Sequence, residues 1–415
     1  MEFFVITGEL FIHFFCRLHG IYYDRCNRKN PKHTRCQDGK KIKIAVLGCG
    51  RRGTRVVGNL LRDSDRQVEI AAVFDPDAAE MKLVKETWET PDAVECASAD
   101  EAIEQPGVEW VMIFSPNAFH HDQILAAFKA GKHVFSEKPI GTTIEDCVDI
   151  YNAYKASGRI FATGFVLRYS PIYRRAKEIL ESGKLGKLIS ICAEENVAPY
   201  HGGYIMANWR RLTSISGPHI LEKCCHDLDL LNWFCKSHAT RVASFGGRNF
   251  FIPENDYLVQ KYGKITFGKW RDPHAKPSPF TSDKDLMDNQ VAIFEYRNQI
   301  RVQFQCTMSN AMPSRRMYFS CTEGTMMLEL YDRTLKYRLL GSDEENTLIF
   351  KNSDGHGGGD NYIMKELFET MTTGVEPKCS GSEGLESAIL ALGIDKAART
   401  GSIVDLEPVW KQLGR

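Results

Sequence analysis

The sequence predicts an α/β protein of two domains: an N-terminal domain with a parallel sheet between helices, then a second α/β domain with an open, largely antiparallel sheet. Three observations carry this. Between residues 41 and 165, short apolar, β-branched runs alternate with amphipathic stretches of helical length, the rhythm of βαβ units. From about residue 166 that rhythm gives way to runs of strand pattern. A chain of 415 residues is also too long for one ordinary domain.

The elements follow in order. Residues 41–48 (KIKIAVLG) read as a buried strand ending in glycine, 54–62 as a helix, 68–75 (VEIAAVFD) as a second buried strand and 77–87 as a helix. A weak strand near Val94 and a short helix over 100–104 precede the strand 108–115 (VEWVMIFS). A helix over 119–130, a strand over 133–136, a helix over 143–156 ending at Gly158 and a strand over 159–165 complete the first domain, 41–165. The second domain, 166–415, opens with a helix over 171–182 and a strand over 188–197. A long loop then leads to a helix over 220–235, strands dominate 239–350 with a hairpin of 291–296 and 299–307, and helices over 361–372 and 383–400 close the chain.

Residues 1–40 are set apart. Residues 1–16 are apolar but short and carry Glu2 and Glu9, without the basic start of a secretory signal or the length of a membrane span. They are expected to be a poorly ordered extension, a weak signal or anchor being the alternative. Lys plus Arg and Asp plus Glu both number 53, so charge gives no reason to expect nucleic acid or an anionic membrane as partner. The 13 cysteines form no CxxC pair and suit reduced thiols in the cytoplasm. No His, Cys, Asp or Glu group has metal-ligand spacing, so no metal is expected.

Gly48-Cys49-Gly50-Arg51-Arg52-Gly53 is a GxGxxG placed directly after the first buried strand and opening the first helix. Gly48 permits the tight turn, Gly50 lets a pyrophosphate approach the backbone, and Gly53 lets helix and strand pack closely. The free N–H groups of the helix start then face the phosphates. Asp75 ends the second strand 22 residues after Gly53, where a carboxylate binds the ribose hydroxyls of NAD and repels the 2′-phosphate of NADP. The first domain is therefore a Rossmann domain, with NAD as the expected cofactor. NADP is the less favoured alternative, kept open by Arg51 and Arg52, either of which can reach a 2′-phosphate.

Glu137-Lys138-Pro139 follows Ala130-Gly131-Lys132-His133-Val134, Pro116-Asn117 precedes His120 by three residues, and Trp209-Arg210, Ser216-Gly217 and His226 follow in order. Over residues 41 to 410 these elements resemble the glucose–fructose oxidoreductase, inositol dehydrogenase and rhizopine-catabolism (Gfo/Idh/MocA) family. The resemblance implies NAD(P)-dependent oxidation or reduction of sugars or polyols, and an open-faced C-terminal sheet that often mediates oligomerisation. It also implies that Ser115, Pro116, Asn117, His120, Glu137 and Lys138 line the cofactor, and that the counterpart of Lys138 polarises the substrate hydroxyl.

Oxidising a secondary alcohol needs a group within hydrogen-bond reach of the hydroxyl to take its proton. Lys138 lies at the C-terminal edge of the parallel sheet, where such sheets place ligands. His226 is the second candidate. On a helix over 220–235, Glu222, His226, Asp229 and Trp233 form one polar stripe, expected to face a cleft, and Cys224, Leu228, Leu231 and Cys235 an opposite apolar one. Glu222 is expected to orient His226 or bind a hydroxyl. Members of the resembled family usually carry aspartate at that position, so Glu222 and the cation of Lys223 leave the substrate undefined. Arg168, Tyr169, Trp209, Arg210, Asp229 and His356 are the expected substrate contacts, with Asp360 in His356-Gly357-Gly358-Gly359-Asp360 as a helix N-cap. Two other readings compete with a dehydrogenase or reductase: an NAD-dependent glycosidase working by transient oxidation and elimination, and a non-catalytic NAD-binding sensor.

Overall fold

A computed structural model describes residues 41–268, 270, 275–351 and 355–415. The extension expected over 1–40 lies outside the described residues. The first sheet consists of β1 (Ile42–Leu47), β2 (Val68–Phe74), β3 (Val94–Glu95), β4 (Val108–Ile113), β5 (His133–Ser136) and β6 (Phe161–Thr163). The strands are all parallel, in the order β3-β2-β1-β4-β5-β6. Ile44, Ala45, Val46 and Leu47 of β1 have no exposed surface, as expected for a strand covered on both faces. The chain leaves β1 and β4 in opposite directions across the sheet, which opens a crevice beyond their carboxyl ends.

The second sheet consists of β7 (Leu188–Asn196), β8 (Ala239–Gly247), β9 (Asn289–Tyr296), β10 (Arg301–Thr307), β11 (Ser314–Cys321), β12 (Gly324–Glu329), β13 (Thr334–Leu339), β14 (Asn346–Ile349) and β15 (Val404–Asp405). Its order is β14-β13-β12-β11-β7-β10-β9-β8-β15, antiparallel everywhere except between β7 and β10. Along β9, Gln290, Ala292, Phe294 and Tyr296 are buried beneath helices while Val291 and Ile293 are exposed on the opposite face. The helices Cys225–Cys235 and Gly381–Thr400 pack on each other and on the covered face. The C-terminal segment also returns to the first domain. Helix Asp360–Thr373 packs on helix Arg51–Asp63, and the main chain at Cys379 accepts from the Thr163 N–H of β6 at 2.9 Å.

Four expectations need correction. The first helix begins at Arg51, not at 54, so Gly53 lies inside it. The long loop after β7 holds a helix, Pro199–Ala207. Its two glycines disguised it, yet they are what lets it pack: a Cβ on Gly202 would lie 2.1 Å from the Met308 oxygen, and one on Gly203 1.9 Å from that of Phe267. The segment 220–235 is not one helix but two, His219–Glu222 and Cys225–Cys235, joined through Lys223 and Cys224. Finally, 253–266 is short helical turns rather than strand, and a last helix, Glu407–Gln412, follows β15.

Candidate active site

The turn after β1 is built by steric exclusion. Gly48 adopts φ +91°, and a Cβ there would lie 2.6 Å from Phe114 C and Ser115 N. A Cβ on Gly53 would lie 2.6 Å from the Gly48 oxygen. Gly50 differs: it caps the helix Arg51–Asp63, and nothing lies within 4 Å of the place its Cβ would take. That open space over unpaired helix N–H groups fits a pyrophosphate. Asp75 stands beside it, with Oδ2 accepting from Cys49 N at 2.8 Å and Oδ1 from Asp77 N at 2.9 Å. These bonds fix the carboxylate against the loop and fit it to a ribose. Arg51 is exposed. Arg52 turns away from that position: its Nε donates to Glu137 Oε1 at 2.7 Å and its Nη1 to Asp360 Oδ1 at 2.8 Å, so the structure spends it on two carboxylates rather than a 2′-phosphate.

Across the crevice, the residues after β4 hold the wall together. The His120 ring nitrogens lie 2.6 Å from the Pro139 oxygen and 2.8 Å from the Ser115 oxygen, fully buried, and burial lowers the imidazole pKa. Asn117 Nδ2 donates to the Ser216 oxygen at 2.7 Å, and Ser115 Oγ to Gln123 Oε1 at 2.7 Å. His120 and Asn117, expected as cofactor contacts, thus staple the Ser115–Pro116 loop to the Lys138–Pro139 turn and to the second domain.

Lys138 leaves the end of β5 and reaches the helix break. A helix end leaves carbonyls without intrahelical partners. Lys138 Nζ donates to one of them, the Glu222 oxygen, and lies 4.0 Å from Glu222 Oε1. Arg210 holds the same carboxylate, Nε to Oε1 at 2.7 Å, while its guanidinium stacks 4.2 Å from the Trp209 ring centroid and donates to Tyr204 Oη at 3.1 Å. Burial pushes the Glu222 carboxyl up, but Lys138 and Arg210 outweigh it and bring it down to about 2. His226 begins the next helix, 4% exposed, its ring edge-on to Phe165 at 6.0 Å and 5.7 Å from the His356 ring. Burial first, then the Lys138 charge, hold its pKa well below the ordinary value, so the imidazole is neutral. Its Nδ1 is buried without a hydrogen-bond partner. A lysine donor and a neutral imidazole beside a fixed carboxylate can bind a hydroxyl and take its proton.

Other expected contacts lie elsewhere. Arg168 and Asp229 form a buried fork, Nε to Oδ2 and Nη2 to Oδ1 both at 2.8 Å, with the guanidinium 5.5 Å from the Trp233 ring. The polar stripe expected to face a cleft is therefore split, with Asp229 and Trp233 turned to Arg168. Tyr169 is buried beneath Arg174. Asp360 is not the N-cap, which is Gly359. Its side chain pairs with Arg52 and with His356 Nδ1 at 2.8 Å.

The sequence also left residues unread. Arg315 of β11 faces Glu195 of β7, pairs with it and forks onto Asp227 at 2.8 and 2.7 Å, while Lys223 Nζ lies 3.4 Å from Glu195. This buried set ties the start of the His226 helix to the sheet. His219, Cys224 and Cys306 bring ligand-type atoms within 4.8 Å of one another. Burial raises the Cys224 thiol pKa well above its usual range and lowers His219 to about 4. Spacing shows neither cluster, because each joins strand residues to the helical segment 219–227, far away in the sequence.

Comparisons agree with this architecture. The NAD-binding Rossmann-fold model of the oxidoreductase family matches residues 42–165, and the GFO/IDH/MocA C-terminal domain model matches residues 173–327. An oxidoreductase of Bacillus subtilis (strain 168), YteT, is 22% identical over 377 residues, 78% of this chain and 88% of its own length. An inositol 2-dehydrogenase of Acidothermus cellulolyticus is 30% identical over 214 residues, half of this chain and 58% of its own length. A levoglucosan dehydrogenase, solved in complex with NADH and levoglucosan, shares the fold at TM-score 0.73 and 16% identity, covering 88% of this chain and 99% of its own. A nucleotide loop cleared of side chains, a Lys138–Glu222 contact at the sheet's carboxyl edge and matches to both domain models lead to one conclusion: the chain belongs to the Gfo/Idh/MocA family of NAD-binding oxidoreductases.

Proposed function

We propose that the protein oxidises a secondary hydroxyl, or reduces the matching ketone, of a sugar, polyol or derivative with NAD as cofactor. The observation that carries this reading is the meeting of Lys138 and Glu222 at the carboxyl edge of the parallel sheet, with the Lys138 charge acting on the buried His226. Bound nicotinamide supplies the hydride acceptor or donor. Gly48, Gly50, Gly53 and Asp75 bind the dinucleotide, and the Asp75 charge favours NAD over NADP. Lys138 donates to the reacting oxygen, His226 takes or returns the proton, and Glu222 fixes the lysine. Trp209 and Arg210 form the neighbouring wall for the remaining hydroxyls.

The exposed Phe245, Val291, Ile293 and Tyr318 on the open face of the second sheet support assembly with further copies of the chain. Among the described residues no helix is long and apolar enough to cross a membrane and every cysteine is a free thiol, which supports a cytoplasmic setting.

The test mixes purified protein with NAD or NADP and a panel of sugars, polyols and glycosides while following the absorbance of reduced nicotinamide. Growth of the band with one alcohol is the expected result. Sugar released from a glycoside without net reduction would replace this reading with redox-assisted cleavage, and silence with NADH bound would replace it with a sensor.

A further inference from the structure

Two arginines of the first helix and the nearby His356 meet on one carboxylate. Asp360 is 1% exposed; its Oδ1 accepts from Arg52 Nη1 and its Oδ2 from His356 Nδ1, both at 2.8 Å, and Oδ2 lies 3.0 Å from Arg55 Nη2. Its main-chain oxygen accepts from Asn59 Nδ2 at 3.3 Å. Arg52, Arg55 and Asn59 share one face of the helix that opens the nucleotide loop, at the i, i+3, i+7 spacing. The other edge of the Arg52 guanidinium holds Glu137 at 2.7 Å, the residue before Lys138. The His356 ring lies 5.7 Å from that of His226.

A planar guanidinium gripping two carboxylates on different edges is a stiff bracket, which a flexible ammonium cannot copy. A tie between the two helices would need only Arg52 and Asp360. The third partner changes what the carboxylate does. Accepting from Nδ1 sets the His356 tautomer and ring orientation, as outer carboxylates do for functional histidines.

We infer that Arg52 and Asp360 form a positioning hub that sets the dinucleotide loop, the Lys138 turn and the His356–His226 pair together. This rests on the oxidoreductase reading above. Arg52 acts through Glu137 on Lys138, and Asp360 acts through His356 on His226. Cofactor binding and the protonation of His356 are thereby coupled. The charged and titratable groups bearing on His356 include Asp360, Arg52, Lys223 and His226; burial lowers its pKa most, and Asp360 raises it.

The test uses the full chain carrying Asp360→Asn or Arg52→Lys, with NADH affinity read by fluorescence and the His356 titration by NMR of histidine-labelled protein, assigned with His356→Gln. Removing the Asp360 charge is expected to lower the His356 midpoint by about one pH unit and to weaken NADH several-fold. Arg52→Lys keeps the charge but cannot bridge both carboxylates, so it is expected to weaken NADH and move the His356 midpoint as well. If Asp360→Asn does not fold, Arg52→Lys decides alone. Folded variants in which either readout stays at the wild-type value overturn the hub. Neither readout needs substrate, so a protein in which both move but no alcohol is turned over loses the proposed reaction and keeps the hub.

Discussion

Lys138 and Glu222 meet twice: the lysine ammonium donates to the Glu222 main-chain oxygen and lies 4.0 Å from its carboxylate. Both contacts exist because the helix breaks after Glu222, which exposes a carbonyl and turns the carboxylate back toward β5. The lysine is aimed by a broken helix, and the neutral His226 stands on the far side of the break. This division of labour is testable. Lys138→Ala is expected to lower turnover by about 10²–10⁴-fold while NADH binding, followed by fluorescence, persists. Unchanged turnover would remove Lys138 from the reaction.

The nucleotide loop gives a cleaner separation of fold from function. Gly50 has φ −67° and ψ 176°, extended backbone that alanine adopts without strain, and open space where a Cβ would go. Gly50→Ala is therefore expected to leave the free energy of urea unfolding within about 0.5 kcal/mol of wild type. The same methyl occupies the path of the pyrophosphate, so NADH binding is expected to be lost. A variant that still binds NADH would place the dinucleotide elsewhere.

The parts legible in the sequence are those set by local physics. The apolar runs of the first sheet, Gly48 and Gly50 at a strand–helix junction and Asp75 at a strand end each obey rules of a few residues' reach, and the strands of that sheet form where expected. The helix break at Lys223–Cys224 was not legible, because apolar periodicity continues straight across it. Nor was the partnership of Arg168 with Asp229, since a buried arginine and a substrate-facing one look alike in sequence. Asp360 was read by its neighbours as a cap, yet one of its side-chain partners, Arg52, lies 308 residues away. Long-range ion pairs decide which polar residues of a motif remain for chemistry.

Asp75 bears on cofactor choice. Both its oxygens are fixed by main-chain N–H groups, so its charge cannot swing away from an incoming 2′-phosphate. With Arg52 engaged by Glu137 and Asp360, that charge is expected to make NAD the preferred cofactor in kcat/KM. Asp75→Asn is expected to raise the NADP-to-NAD ratio by about tenfold or more, equivalent to about 1.4 kcal/mol. A ratio that does not move would mean Asp75 takes no part in the choice.

Buried histidines set the acid limit of stability. The pKa values of His120, His133, His201, His219, His226 and His356 are all lowered in the folded protein, chiefly by burial, with His219 at about 4 against an ordinary 6.5. Below 6.5 the unfolded chain binds protons that the folded one refuses. Their contribution is therefore complete above 6.5 and is lost as pH falls toward 4, by up to about 1.4 kcal/mol per pH unit for each histidine. Asp227 and Asp229, pushed up by burial to about 7 and about 6, act in the opposite sense and offset part of this. Burial raises the Glu329 and Asp395 carboxyls as well, so six groups stand against four, and the urea midpoint is expected to drop between about pH 7 and about pH 5. A flat profile would show that these histidines accept protons in the folded state.

Arg168 and Asp229 distinguish a structural pair from a substrate contact. Their fork is buried and closed, with the guanidinium over Trp233, so neither has a face left for a sugar. Removing one partner strands the other charge in the interior. Arg168→Ala is expected to cost about 3–5 kcal/mol in urea unfolding. Replacing both at once with apolar residues of similar volume, Arg168→Met with Asp229→Leu, is expected to recover much of that loss, because no charge is then left unpaired. The decisive readout is KM for the alcohol in the stable double variant. A KM at the wild-type value places the pair in the scaffold that holds the His226 helix, whereas a large rise would return Arg168 and Asp229 to the substrate site.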